Sequence, residues 1–343
     1  PGLPPHSRGP VLSRSVPPPP GLRPSRSCRG IPLSASFASA LNAAREAAGA
    51  QHYPQGALYV VATPIGNLAD ITLRALHVLQ TVDAIACEDT RHTQSLLRAY
   101  GIDRSGSTWL AVHQHNEAQA SQQVVERLQQ GQRIAYVSDA GTPGVSDPGA
   151  RLVAAVQAAG LRSIPLPGAS SVTAALSVAG AVAGSQDKGG FLFAGFLPAK
   201  TAERGATVQH LAQEPRCVAL LEAPHRIRDL AGALAPLGTR QVTLARELTK
   251  QFEEIVTLQA GALAAWLAEN EQRARGEFVV LLHPLALAPE DDGEGLRVLR
   301  LLLDELPVKT AVKLTAEITG GSRNVLYEQA LQLKRGTDAD SED

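Results

Sequence analysis

The sequence predicts an α/β protein with two α/β domains followed by a small C-terminal helical module. Three observations lead to this prediction. From residue 56 onward, short apolar runs alternate with helical patterns, as in a mostly parallel sheet covered by helices on both faces. After residue 184, several strand-like runs follow one another without room for a helix, which indicates antiparallel pairs. The last region, residues 296–335, carries helical patterns only.

The first domain is predicted to span residues 56–183 and to alternate five strands with five helices. Its strands are short apolar runs, and its helices repeat apolar residues every three or four positions. The predicted strands are 58–62, 83–87, 108–112, 133–138 and 162–166, and the predicted helices are 71–80, 90–100, 118–130, 150–159 and 172–179.

The second domain is predicted to span residues 184–286. Its strands are 191–196, 217–221, 242–246, 254–258 and 277–282. An acidic linker, 286–295, is expected to lead into three helices. The first covers 296–305, the second begins near Pro307 and ends at a glycine pair, and Ser322 can cap the third.

Residues 1–55 differ from the rest of the chain. They contain ten prolines before residue 36 and carry six arginines against one glutamate. Such a composition cannot build a packed core, so we expect a disordered extension or a misplaced start. Residues 36–50 could form a short helix.

Composition excludes several classes of protein. The 343 residues are 44% hydrophobic, which excludes disorder throughout, and no apolar run approaches the roughly 20 residues of a membrane span. The three cysteines lie far apart, which excludes a disulfide framework and a zinc ribbon and favours a reduced, intracellular protein. His113 and His115 would share a strand face, but no third metal ligand is evident. The net charge of −1 does not indicate whether the protein binds nucleic acid.

Three glycine- or serine-containing segments follow predicted strands of the first domain, where ligands bind in open α/β sheets. Residues 63–67, TPIGN, form either a ligand loop or an ordinary tight turn, and Pro64 removes a donor that a dinucleotide would need. Residues 138–149 form a loop long enough to indicate function, although Asx turns alone could stabilise it. Ser170 and Ser171 open a helix, where they could bind a carboxylate or ribose or act as a cap.

Charged residues follow other strands. Glu88 and Asp89 could cap the next helix, or they could face the crevice with Arg91 as counter-ion. The segments 221–226 and 246–250 also place charges at strand ends, and solvation at the surface is the simpler interpretation of each one alone.

Together these segments resemble the tetrapyrrole methylase superfamily and, more closely, its ribosomal RNA branch, the small-subunit methyltransferase I family. The resemblance runs from about residue 56 to 335, and the order and spacing of the motifs carry it. The motifs are ATPIGNLADITLRA, EDTRHT, HNE, SDAGTPGVSDPG, PGASSVTAAL, FAGFLPAK, EAPHR, ARELTKQFEE and KLTAEITGGSRNVLYEQAL.

The resemblance implies an enzyme that uses S-adenosylmethionine (SAM), bound in the cleft between two α/β domains, to 2′-O-methylate a cytidine in the 16S ribosomal RNA of the small subunit. It implies no metal, a cytoplasmic location and a homodimer. Thr142 stands where the superfamily has aspartate. The cofactor-binding residues that it implies are Thr63, Pro64, Ile65, Gly66, Gly141, Thr142, Pro143, Val145, Ser170 and Ser171.

A ribose hydroxyl must lose its proton during attack, so the site needs a base. The candidates for the base and its orienting groups are Glu88, Asp89, Arg91 and Glu222, and His225 is a less favoured candidate. The sequence does not distinguish among them. Positive side chains predicted to contact RNA are Lys200, Arg226, Lys309, Lys313 and Arg323.

Two other functions stay open at this point. One is C-methylation of a corrin precursor, which the EDTR and EAPHR segments and the helical module oppose. The other is nucleotide binding without catalysis, and such a protein would bind SAM or another nucleotide without consuming it.

Overall fold

The computed structural model of the chain contains two five-stranded sheets and a C-terminal group of three helices. It describes residues 37–104, 106–113, 116–147, 149–181, 190–285 and 292–339.

The first sheet is entirely parallel. Its strands are β1 (Ala57–Val61), β2 (Ala84–Cys87), β3 (Trp109–Ala111), β4 (Ile134–Val137) and β5 (Arg162–Leu166). Their order in the sheet is β3-β2-β4-β1-β5, so the carboxyl ends of all five strands meet at one edge. Every residue of β2 and β4 is buried, which explains why these strands are continuous apolar runs in the sequence.

Helices cover this sheet and begin within about two residues of their predicted starts. The Thr72 hydroxyl accepts a hydrogen bond from the Ala75 amide at 3.1 Å and so caps the helix that follows β1. Amphipathic spacing of the apolar residues predicted this helix and the four after it. The helices are α1 (Ala38–Ala48), α2 (Leu73–Thr81), α3 (Thr90–Ala99), α4 (Glu117–Gln129), α5 (Gly149–Ala158) and α6 (Ser171–Ala179).

The second sheet is mixed, and its antiparallel pairs confirm the prediction. Its strands are β6 (Phe191–Phe196), β7 (Cys217–Glu222), β8 (Gln241–Arg246), β9 (Glu254–Gln259) and β10 (Phe278–Leu282). Their order is β6-β7-β10-β8-β9, in which β10 is antiparallel to both β7 and β8, β8 is antiparallel to β9, and β6 and β7 are parallel. Three helices that the sequence did not predict pack on this sheet: α7 (Thr201–Leu211), α8 (Ile227–Leu234) and α9 (Leu263–Ala268).

The C-terminal module consists of α10 (Asp292–Glu305), α11 (Val308–Thr319) and α12 (Arg323–Ala339), as predicted. The three helices share a small core that includes Leu299, Val312 and Leu326. The predicted linker 286–295 is too long, because α10 begins at Asp292. Residues 286–291 lie outside the described residues.

Residues 37–55 do not fit the disordered extension predicted over residues 1–55, whereas the short helix expected within residues 36–50 is present as α1. Helix α1 packs against α2, Ala44 is fully buried, and the Phe37 ring meets the Tyr100 ring edge to face at 5.0 Å. Small and apolar residues at helical spacing give α1 a face that the first domain can bury. The prediction for residues 1–36 concerns a segment outside the described residues.

The two sheets meet through α6. Val172 and Ala175 of this helix share one apolar cluster with Leu248, Val279 and other residues of the second sheet and its loops. This contact brings the carboxyl edge of the first sheet against the second domain. In the described part of the chain, no helix is long and apolar enough to cross a membrane.

Candidate active site between the two sheets

A cavity of about 350 Å³ lies between the two sheets. Its volume is within the range of small-molecule sites, roughly 300–1,000 Å³. It opens at the carboxyl edge of the first sheet, where ligands bind in folds of this class. The first domain lines it with Ile65, Ala140 and Ser171, and the second domain lines it with Phe196, Leu221, Glu222, Ala223, Pro224, Ala245, Leu248, Glu277, Phe278 and Val279.

The loop after β1 is held rigidly against the loop after β4. Thr63 and Gly141 exchange two backbone hydrogen bonds, each of 3.0 Å. Gly141 has a φ of 81°, and a Cβ there would lie 3.2 Å from Cγ2 of Ile65. Glycine at 141 therefore lets the two loops approach while Ile65 reaches the cavity.

The loop after β4 is also tied to the start of α6. The Thr142 hydroxyl donates to the Ala169 carbonyl at 2.9 Å. Ser170 is the N-cap residue of α6 but makes no side-chain capping bond, and Ser171 lines the cavity. The helix N-terminus and these hydroxyls can bind a carboxylate or a ribose.

Asp147 explains why the glycine-rich loop is compact. Its carboxylate accepts hydrogen bonds from the Tyr136 hydroxyl at 3.0 Å and from the amides of Gly144 and Gly149 at 2.8 Å each. Pro143 is buried, whereas Val145 is 44% exposed and is not among the residues that line the cavity. Of the ten predicted cofactor residues, Ile65 and Ser171 line the cavity; the roles of Val145 and of the other seven in cofactor binding stay predictions.

Glu88 lies at the carboxyl end of β2, beside the loop after β4. It is half-buried, and burial raises the pKa of its carboxyl, with further increases from the charges of Asp139 and Asp147. A carboxylate whose pKa is raised is a stronger base than an ordinary one, so Glu88 is suited to accept a proton.

Asp89 caps helix α3. Its Oδ1 accepts hydrogen bonds from the amides of Arg91 at 2.8 Å and His92 at 3.2 Å. These bonds to the His92 and Arg91 amides lower the pKa of Asp89, which makes it a weaker base. The sequence left open whether Glu88 and Asp89 cap the helix or face the crevice, and the structure separates them: Asp89 caps the helix, and Arg91 is exposed.

Glu222 lies in the wall of the cavity with its side chain fully buried. Oε1 accepts from the Ala223 amide at 2.9 Å and lies 3.2 Å from Nε of Arg226, whereas Oε2 has no hydrogen-bond partner. Arg226 also donates to the Leu197 carbonyl. Its guanidinium therefore faces the protein, which does not fit the predicted contact with RNA phosphate.

The other predicted RNA contacts lie on the surface. Lys309 and Lys313 are exposed and one turn apart on α11. Arg323 pairs with Glu317 at 3.4 Å, and Lys200 pairs with Glu203 at 2.9 Å. Both pairs are exposed, so they can rearrange at little cost when a phosphate binds.

Sequence reasoning missed most of the wall that the second domain supplies. Ala223, Pro224 and Leu248 lie within segments that the sequence analysis noted as charged strand ends, so a signal for them existed. Phe278 and Val279 belong to a buried central strand, and nothing in the sequence marks them as cavity residues. In the described ranges, no group of three or more histidine, cysteine or acidic residues could hold a metal ion.

Comparisons with known proteins agree with this architecture. Residues 57–264 match the family model of tetrapyrrole (corrin/porphyrin) methylases, and residues 289–334 match that of the RsmI C-terminal HTH domain. A ribosomal RNA small subunit methyltransferase I from Escherichia coli O157:H7 is 48% identical over 81% of this chain and 96% of its own length, and one from Pseudomonas aeruginosa is 47% identical over 81% and 97%. The solved structure of a diphthine synthase has a TM-score of 0.50 at 13% identity, covering 66% of this chain and 90% of that one, and so shows the fold alone.

Proposed function

The chain belongs to the ribosomal RNA small subunit methyltransferase I family of tetrapyrrole methylases, and we propose on this basis that it methylates the ribose 2′-oxygen of cytidine 1402 in 16S ribosomal RNA. The observation that carries the proposal is the continuous similarity to these relatives, which includes both the cleft-forming domains and the C-terminal module. The cleft offers a site for the cofactor, and the half-buried carboxylate of Glu88 lies at the end of the strand next to β4, outside the cavity lining itself.

The residues that line the cleft fit SAM. Apolar side chains such as Leu221 and Val279 suit an adenine ring, and the Ser171 hydroxyl can bond a ribose or carboxylate. The buried Oε2 of Glu222 lacks a partner and can accept from an amino group. Gly66 and Gly141 let this side of the cleft pack tightly, because a Cβ on Gly66 would meet Leu248 and one on Gly141 would meet Ile65.

The chemistry needs a positioned base more than it needs a nucleophile from the protein. When bound, SAM supplies a methyl group on a sulfonium, so the 2′-oxygen gains the methyl carbon as the carbon–sulfur bond breaks and a neutral thioether leaves. Glu88 takes the 2′-hydroxyl proton, because burial raises its pKa and makes the carboxylate a stronger base. Asp139 and Asp147 maintain that raised pKa by their charge.

RNA is positioned by the C-terminal module. Lys309 and Lys313 present two ammonium groups on one face of α11, and Arg323 opens the next helix. Contacts of this kind orient an RNA but do not specify a base, so selection of one cytidine depends on the folded small subunit. We extend the proposal to a homodimer in the cytoplasm, and sedimentation of the purified protein at micromolar concentration tests its oligomeric state.

A transfer assay tests the function directly. Purified protein and methyl-labelled SAM are incubated in three separate reactions. The acceptors are small subunits lacking the modification, naked 16S ribosomal RNA, and a corrin precursor. We expect label in the small subunit. Label only in the corrin precursor would support the alternative within the same family, and binding of SAM without any transfer would indicate a non-catalytic nucleotide-binding protein.

A further inference from the structure

The loop that joins β8 to β9 has an unusual backbone. Glu247 has a φ of 51° and Thr249 a φ of 65°, and these are the two non-glycine residues with positive φ in the described residues. Side chains other than glycine, asparagine and aspartate adopt this conformation at a cost in free energy. Such strain persists only where surrounding contacts hold it, and it is concentrated at functional sites.

A network centred on the Glu247 carboxylate holds this loop. Oε1 of Glu247 accepts from Nζ of Lys250 at 2.8 Å and from the Glu277 amide at 2.9 Å. Nζ of Lys250 also donates to Oε2 of Glu277 at 3.1 Å. Gly276 leaves the space that the Glu247 side chain occupies, because a Cβ at position 276 would lie 2.6 Å from Oε1 of Glu247.

The strained loop contacts both the cavity and the loop after β1. Leu248 lines the cavity and is 8% exposed. A Cβ placed on Gly66 would lie closest to Cγ of Lys250, and 3.0 Å from both the Leu248 carbonyl oxygen and Oγ1 of Thr249. The hydroxyl of Thr249 is itself buried without a hydrogen-bond partner, so this contact is made by shape and not by bonding.

The bonds within the network also affect the charges. Burial alone would raise the pKa of Glu247, but hydrogen bonds from Lys250 and the Glu277 backbone lower it below its usual range. Burial opposes the charge on Lys250, but its bonds to Glu247 and Glu277 raise its pKa. Both groups therefore stay ionised, and the network persists at neutral pH.

We infer that Glu247 is a positioning residue for the cofactor. Its carboxylate holds the strained segment 247–250, which sets the place of Leu248 in the cleft and supports residues 63–66 from the second domain. The inference rests on the proposed function in so far as the cleft binds SAM. It needs no RNA chemistry.

Calorimetric titration of the full chain with SAM, in the absence of RNA, tests this inference. Glu247→Ala should weaken SAM binding roughly tenfold, because small displacements of positioning groups have effects of this size or larger. Glu247→Gln should bind nearly as wild type, since its amide oxygen still accepts from the Glu277 amide and Lys250. In methyl transfer, Glu247→Ala should raise the KM for SAM while kcat at saturating SAM changes little.

Two further variants separate positioning from folding. Glu269→Ala removes a carboxylate that pairs with Arg273 at 2.7 Å in the same domain but does not line the cleft, and it should bind SAM as wild type. Glycine adopts the backbone conformation of Thr249 without strain, so Thr249→Gly should keep the melting temperature. It removes the side chain that packs against Gly66, so it should still weaken SAM binding several-fold. Wild-type SAM affinity in Glu247→Ala would overturn the inference whatever Thr249→Gly shows, as would an equal loss in Glu269→Ala. If these affinities change as expected but no RNA is methylated, the inference stands and the proposed function fails.

Discussion

Gly66 packs against Leu248 so closely that a Cβ on Gly66 would lie 3.0 Å from the Leu248 carbonyl oxygen. This contact joins the loop after β1 in the first domain to the strained loop of the second. We expect Gly66→Ala to displace one of the two loops at a cost of about 1–3 kcal/mol. SAM binding, measured by calorimetry, should weaken by roughly tenfold or more.

The matched control for this variant is Gly232→Ala. Gly232 lies in helix α8 with nothing within 4 Å of the position that a Cβ would take. Alanine in a helix interior is favoured over glycine by roughly 0.5–1 kcal/mol, so this variant should be slightly more stable and bind SAM normally. Equal SAM affinity in the two variants would show that the Gly66 contact does not shape the cofactor site.

The pH dependence of methyl transfer should depend on Asp139. Glu88 acts as a base only when deprotonated, so activity falls as the pH drops through its pKa. The negative charge of Asp139 contributes to raising that pKa. Asp139→Asn removes the charge, lowers the pKa of Glu88 and should move the acid limb of the kcat/KM profile to lower pH.

The same substitution keeps the hydrogen bond that Asp139 accepts from the Asp89 amide, because asparagine also carries an acceptor oxygen. The melting temperature of Asp139→Asn should therefore stay close to that of the wild type. An acid limb that stays in place or moves to higher pH would eliminate Glu88 as the titrating base.

Asp89 should prove structural. Asparagine is as good an N-cap as aspartate, so Asp89→Asn should retain the two bonds from the start of α3 and nearly normal turnover. Asp89→Ala should lower the melting temperature because it removes the cap. Thermal unfolding and turnover of both variants test this role, and a severe loss of turnover in Asp89→Asn at an unchanged melting temperature would assign chemistry to Asp89 instead.

Lys309 and Lys313 should contribute electrostatically to binding of the small subunit. Each phosphate contact that is lost reduces the slope of log affinity against log salt by about one. The double variant Lys309→Ala/Lys313→Ala should therefore bind small subunits more weakly, with a slope lower by roughly two, while SAM affinity is unchanged. Filter binding over a range of salt concentrations measures this slope.

Arg98→Ala serves as the control for that experiment, since Arg98 is an exposed cation in the last turn of α3. It should leave the salt slope unaltered. If Arg98→Ala and the double lysine variant have the same effect, binding responds to overall charge and not to the C-terminal module.

The sequence predicted the strands of both sheets well because burial imposes a simple pattern on them. Residues 134–137 are buried on both faces, so the strand is apolar throughout, and the glycine at 131 marks where the preceding helix ends. Helix α1 was harder to interpret. Its alanine-rich face is buried because α2 and the Tyr100 ring lie beside it. No local sequence pattern indicates that these distant residues pack against it.

The candidate site was predictable on one side only. Loops after parallel strands converge at one edge, so residues such as Ile65 and Ser171 could be assigned to the cleft in advance. The second wall arises from the packing of one domain on the other, and the strain at Glu247 and Thr249 depends on contacts with residues 276 and 277, which are nearly 30 positions further along the chain. The different roles of Glu88 and Asp89 likewise depend on hydrogen bonds that adjacent acidic residues do not reveal.

The most direct test of the central claim is mass spectrometry of 16S ribosomal RNA fragments after incubation of unmodified small subunits with SAM and either the wild-type protein or Glu88→Gln. We predict that the wild type adds one methyl group to the ribose of cytidine 1402. Glu88→Gln should bind SAM normally but transfer at least about a hundredfold more slowly, which is the usual contribution of a general base. A methyl group on a base or on another nucleotide, or normal transfer by Glu88→Gln, would contradict the account.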